Sequence, residues 1–162
     1  MCQALAGAGA EPVIATTDAD GPTVLDVPIG TVSPWHDVPT IFFHRQWSEA
    51  FKYSHGLGAW LHRHVDEFDV VHIHGPLSYS SLAAAGAAHR YGVPYIVRPL
   101  GTLDSWSLQQ KARKKQLLLP FVRRMIRRAA AVHCTSPEEL RDVTSAFDLR
   151  TGVDIPLGVD PA

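Results

Sequence analysis

Two histidines, His72 and His74, stand two residues apart in the run DVVHIHGP. On a β-strand that spacing places both imidazoles on one face. His74-Gly75-Pro76 then begins a turn into a helix expected from Ser80. A His-x-His pair at a strand end suits either the lining of a ligand cleft or two ligands of a metal. The metal reading, a metal-dependent hydrolase, needs further Asp or His at strand ends to complete a coordination sphere, and none is evident. Barrels of that kind also take ~250 residues, against 162 here. We therefore expect no metal, with His74 at the cleft and His72 as a hydrogen-bonded core residue.

A second segment, Arg98-Pro99-Leu100-Gly101-Thr102, follows the apolar run YIV. The Arg98 guanidinium suits a phosphate or carboxylate, unless Asp104 pairs with it. Gly101 permits a positive φ or a close backbone approach, and Thr102 offers a hydroxyl. A third segment, His133-Cys134-Thr135-Ser136-Pro137-Glu138-Glu139, ends another strand. Ser136 as N-cap, Pro137 in the first turn and Glu139 three residues on satisfy a capping box, a structural role in its own right.

Between Asp104 and Glu138 there is no acid, yet eight of the fifteen basic residues fall within eighteen positions from Lys111 to Arg128. Pro120 is expected to break or kink this stretch, as the first residue of a second helix. In the second, Phe121, Val122, Met125, Ile126, Ala129 and Ala130 form an apolar stripe, and Arg123, Arg124, Arg127 and Arg128 the opposite one. Such a face is either solvated or laid on anionic lipid.

These segments need elements to hold them. Short Val/Ile-rich runs, each followed by a turn and then by helical spacing, have the rhythm of βαβ units. Strands are expected near Val13–Thr16, Thr40–His44, Val70–His74, Tyr95–Arg98, Ala131–Cys134 and Val153–Pro156. Helices are expected near Ser48–Val65, Ser80–Tyr91, Ser107–Ala130 and Pro137–Phe147. Asp18–Pro39, rich in Pro, Gly, Thr and Asp, has the composition of a surface loop. Continuous apolar runs such as DVVHI and YIVR suit a parallel sheet, so the fold class is α/β: a Rossmann-like parallel sheet with helices on both faces. Met1–Gly9 resembles the last turns of a helix with no strand before it. The first strand is thus expected to be missing and the sheet interrupted at its centre.

Composition sets the outer limits. The 162 residues fit one domain, and 46% hydrophobic with 19% charged residues is ordinary for a globular chain. A net charge of −1 supplies no global field for a nucleic-acid partner. No run nears the ~18 apolar residues that span a bilayer. Cys2 and Cys134 form no disulfide framework. A cytoplasmic protein is expected, with peripheral contact at the inner face of the membrane through the four arginines.

The order DVVHIHGPLSYSSLAAAGAAHRYGVPYIVRPLGTLDSWSLQQKARKK, then RRAAAVHCTSPEEL, then IPLGVD, resembles the N-terminal domain of family 4 glycosyltransferases, which have the two-domain GT-B fold. The upstream ATTDADG and FFHRQWSEAFKYSHGLGAWL are similar to that family too, so the resemblance covers nearly the whole of residues 1–162. It implies a retaining transfer of a sugar from a nucleotide-sugar co-substrate to a hydroxyl acceptor, with no other cofactor. The acceptor would be a polysaccharide, cell-envelope or lipid-linked glycan. His74, Gly75, Arg98, Gly101, Thr102, Thr135 and Ser136 would line the acceptor cleft, with no catalytic residue assigned. Two positions depart from the family's pattern: Leu100 stands where many relatives carry His or Arg, and Leu157 where they carry Asn. The C-terminal nucleotide-sugar domain of such enzymes is expected to be absent, leaving the fragment inactive alone. A non-catalytic binding subunit, working with a separate partner half, is the alternative.

Overall fold

A computed structural model describes residues 1–47, 51–103, 112–156 and 158, with the backbone alone at 112–116. In chain order the elements are α1 (Cys2–Gly7), β1 (Ile14–Thr17), β2 (Ala19–Asp20), β3 (Thr23–Val24), β4 (Val32–Trp35) and β5 (Val38–Phe43). They continue as α2 (His55–His64), a 3-10 turn (Val65–Glu67), β6 (Val71–His74), α3 (Tyr79–Tyr91) and β7 (Tyr95–Arg98). The last are α4 (Ala112–Arg128), β8 (Ala131–Cys134), α5 (Pro137–Phe147) and β9 (Gly152–Asp154). This is an α/β fold of Rossmann-like type.

Strands β6, β7, β8 and β9 form a parallel sheet in that order, while β1, β5 and β4 form a second sheet in which β1 and β5 are parallel. Among the described residues no strand joins β1 to β6. In a doubly wound order the first strand sits between these two, so the sheet is interrupted where the sequence leads one to expect it.

The parallel strands are buried on the side that carries Ile73, Val97, Val132 and Cys134. Leu57 and Leu61 of α2, Ala85 and Ala88 of α3, Val122 and Ile126 of α4, and Val143 and Phe147 of α5 join the same core. Each such aliphatic or aromatic side chain contributes about 1.5–3 kcal/mol on burial. Ile41 and Phe43 of β5 belong to that core as well, and Phe43 packs against Trp60 at 5.9 Å. A shared apolar layer, not a hydrogen-bonded ladder, thus holds the two sheets together. On the other side α1 approaches β7, with Met1 Sδ 3.5 Å from Arg98 Nη1.

Four local expectations are corrected. Asp18–Pro39 is not one loop, for it holds β2, β3 and β4. β4 pairs antiparallel with β5 through His36 and Asp37, both at positive φ (48° and 61°). Those are the signs of a type I′ turn, here without the glycine that usually marks it. Pro34 is tolerated because β4 is an edge strand. Second, α2 begins at His55, where Ser54 Oγ accepts from Leu57 N–H; the expected start at Ser48 lies outside the described residues. Third, α4 runs through Pro120 as one helix. The proline ring fixes a helical φ and deletes one hydrogen bond, which bends or weakens a helix without always ending it. Fourth, Val122, Met125, Ile126 and Ala129 are buried as a stripe, whereas Phe121 is 61% exposed and Ala130 is exposed. The expected helix start at Ser107, the Arg98–Asp104 pair and Leu157 lie outside the described residues.

Candidate functional site

Ligands of open α/β sheets bind beyond the carboxyl ends of the strands. At that edge the register places His74 beside Arg98, with His72 beside Ile96 one step back. The β7–β8 register carries His133 onto the same face. The His72 ring lies 4.6 Å from that of His74 and 5.8 Å from that of His133. His133 Nε2 is spent on the Ile155 carbonyl at 2.9 Å.

Arg98 is only 4% exposed. Its Nε and Nη2 are buried and have no hydrogen-bond partner among the described residues, and neither has His72 Nε2. Burial pushes the His72 imidazole down to about 4, helped by the positive fields of His74, His133 and Arg98. Desolvation at the sheet edge also lowers His74, and Arg98, His133 and the Met1 α-amine add to it. Among the described residues, the electrostatic neighbours acting on these two imidazoles are all cationic when charged.

The turns around the cluster are tightly tied. Gly75 adopts a positive φ of 65° and donates its N–H to the Arg98 carbonyl at 3.0 Å. Ser81 Oγ donates to the Gly75 carbonyl at 2.8 Å. Leu100 and Gly101 both lie at positive φ (56° and 68°), and Thr102 N–H closes the turn on the Pro99 carbonyl at 3.2 Å. Leu100, held in a conformation that costs a non-glycine residue about 1–2 kcal/mol, is 45% exposed. Glu139 departs from a simple capping box: Ser136 Oγ accepts from its N–H, but its carboxylate does not return to Ser136. It accepts instead from Gly101 N–H at 2.6 Å and Thr135 N–H at 2.7 Å, joining the ends of β7 and β8.

His74, Gly75, Arg98, Gly101, Thr102, Thr135 and Ser136 thus all sit at the carboxyl edge. The hydroxyls of Thr102, Thr135 and Ser136 are engaged within their own turns. Arg123, Arg124, Arg127 and Arg128 lie elsewhere. Helix α4 returns to the amino ends of the strands, where Ala130 N–H donates to the Tyr95 carbonyl at 2.9 Å and Tyr95 Oη to the Met125 carbonyl at 2.7 Å. All four arginines are exposed, and Arg123 stands 5.6 Å over the Phe147 ring.

Sequence reasoning missed three features of this edge. Asp18, 2% exposed, follows β1 and holds His44 Nδ1 at 2.8 Å and Arg45 N–H at 2.7 Å. Trp47, 81% exposed, stacks on Tyr53 at 4.6 Å, and Tyr53 lies 4.5 Å from Tyr79. His133 completes the imidazole group. The rule that ligands gather at carboxyl strand ends, applied to β1, β5 and β8, finds all three. Among the described residues no three His, Cys, Asp or Glu side chains are arranged to hold a metal ion.

A search among curated proteins returns no match. A sequence model of the glycosyl transferase 4-like domain matches residues 1–152, which is most of the chain. Together with the α/β fold and its polar carboxyl edge, that match identifies this chain as a member of the glycosyl transferase 4-like family.

Proposed function

We propose that this chain is the acceptor-binding half of a retaining glycosyltransferase, moving a sugar from a nucleotide-sugar to a hydroxyl of a polysaccharide, cell-envelope or lipid-linked glycan. The observation that carries this reading is the gathering of Asp18, His44, His74 and Arg98 at the carboxyl strand ends of a chain from this family. The aromatic faces of Trp47, Tyr53 and Tyr79 suit an acceptor sugar ring. Sugar transfer releases a nucleoside diphosphate, whose charge must be met by preorganised donors. Among the described residues this edge offers the Arg98 guanidinium, while that of Arg45 is turned to the Gly21, Pro22 and Thr23 carbonyls, so a second α/β domain, on a longer chain or a separate one, supplies the remainder.

A second contact is with an anionic membrane surface. Leu117 (77% exposed) and Phe121 (61%) lie at i,i+4 spacing. Arg124 and Arg128 continue that row along α4, as in helices that rest on lipid. No helix among the described residues is long and apolar enough to cross a membrane.

The test is incubation of the chain with nucleotide-sugars and glycan acceptors, alone and with a donor-binding domain of the same family. Transfer is expected only in company, with the donor's anomeric configuration kept, and Trp47→Ala should lower it about tenfold, or ~1.4 kcal/mol. Turnover by the chain alone, or an inverted product, sinks the proposal.

A further inference from the structure

A guanidinium buried without an acceptor is costly, and proteins seldom retain one that has no use. Arg98 comes close to that case, with only the Met1 thioether accepting from it among the described residues, and which of its atoms lack partners is informative. Nε–H and Nη2–H lie along one edge of the planar guanidinium, the fork that grips two oxygens of one phosphate or carboxylate. Both are unpartnered, while Nη1, outside that fork, faces Met1 Sδ. Around the fork stand His74 in register and His72 and His133 on the same face, with His72 Nε2 also buried and unpartnered. Among the described residues no carboxylate contributes to the fields at His72 and His74, which come from Arg98, the other imidazoles and the Met1 α-amine. Glu139, which also lies at the carboxyl edge, is turned to the Gly101 and Thr135 amides.

We propose that Arg98, with His72, His74 and His133 around it, is a subsite for a phosphoryl group carried by the acceptor. This rests on the acceptor-side reading above and deepens it: the acceptor is anionic, and its phosphoryl oxygens complete the bidentate fork that the fold leaves buried and unpartnered. The preference for phosphoryl over carboxylate follows from the number of donors. Two guanidinium N–H groups and flanking imidazoles offer more hydrogen bonds than one carboxylate takes in a bidentate pair, whereas a phosphoryl group has a third oxygen for them.

The test uses the full 162-residue chain and inorganic phosphate, followed by calorimetry and by the histidine C2–H resonances. Saturable binding is expected to shift three of the nine histidines, those at 72, 74 and 133. Arg98→Met should lose at least tenfold in affinity, and Arg98→Lys, which keeps the charge without the fork, should fall between. Glu67→Gln, remote from the edge, should bind as the parent does. A merely structural arginine predicts the reverse pattern in melting: Arg98→Met would then melt lower, whereas a ligand-binding arginine leaves Arg98→Met melting at the same or higher temperature and no longer raised by phosphate. Absence of saturable binding, or equal binding by Arg98→Met, overturns the subsite. If Arg98→Met does not fold, the wild-type resonances decide, since shifts not centred on the three histidines overturn it as well. Glucose 6-phosphate and uridine diphosphate separate the sources. Tighter binding of the sugar phosphate supports the acceptor, and tighter binding of the diphosphate overturns that assignment. Phosphate binding with no sugar transfer in any company sinks the transferase reading and supports the subsite on its own terms.

Discussion

Glu139 accepts hydrogen bonds from Gly101 N–H, Thr135 N–H and Thr135 Oγ1, so one carboxylate ties the ends of two strands. Hydrogen bonds to a charged group are worth about 1.5–3 kcal/mol each when buried, less when half-exposed as here. Glu139→Gln retains one carbonyl oxygen and turns an NH2 toward the other amide, so a loss of about 1–2 kcal/mol is expected in urea denaturation; an unchanged midpoint would show that the tie is not formed. His72 gives a pH-dependent counterpart. Its folded value of about 4 lies below the ordinary 6.5, so between those pH values the unfolded chain holds more protons. The stability owed to neutral His72 is therefore fully present above about pH 6.5 and is lost as pH falls toward 4. Partial exposure limits the effect to about 1–2 kcal/mol. Unfolding curves at pH 7 and pH 4.5 should show the wild type losing more than His72→Gln by that amount, and parallel losses would refute the assignment. His72 and His74 were legible in sequence as a pair on one face. The missing partners of Arg98 were not, because a lack of neighbours is a property of packing and leaves no mark in the residues near position 98.

At the scale of elements, β6, β7 and β8 were legible because buried parallel strands are continuous apolar runs, and α3 because Ser78 and Gly92 cap its ends. The β4–β5 hairpin was not, since His36 and Asp37 fill a turn usually signalled by Asn-Gly and Pro34 argues locally against a strand. Helix α4 shows the same conflict between local and tertiary preference. Its proline costs up to ~3 kcal/mol, yet the buried stripe of Val122, Met125, Ile126 and Ala129 keeps the helix whole. For the proposed membrane contact, each basic residue near an anionic surface is worth about 1 kcal/mol, so Arg124, Arg127 and Arg128 together would give weak, salt-sensitive binding. Arg123, drawn toward Phe147, should matter least. Cosedimentation with anionic vesicles is expected to fall in high salt, to vanish with neutral vesicles and to drop sharply in Phe121→Ser combined with Arg124→Gln. Binding insensitive to salt and to these changes would leave α4 an ordinary solvated helix.

For the molecule as a whole, no strand pairing among the described residues links the two sheets, which share a layer of side chains. β1 and β6 are each hydrogen-bonded to a strand on one side only among the described residues, and backbone groups along such edges invite pairing with other chains. Hydrogen exchange should therefore find amides of β7 and β8, inside the four-strand sheet, protected longest, with those of β1 and β4 opening at lower free energy. Uniform protection across both sheets would indicate a single cooperative unit instead. The interrupted order was legible because the rule for doubly wound sheets says where a first strand belongs; the extent to which Ile41 and Phe43 share the larger core was not.

That shared core has a consequence in time. During synthesis the chain emerges from its amino end, and β1, β4 and β5 can pair as soon as Phe43 is free. Their apolar side chains Ile41 and Phe43 share one core with Leu57, Leu61 and Ile73, the last of which follows Phe43 by thirty residues. At ~5–20 residues per second that interval is about 1.5–6 s. For those seconds a nascent sheet exists with its greasy side bare, so the ribosome-bound chain at this length is the natural customer of a holding chaperone.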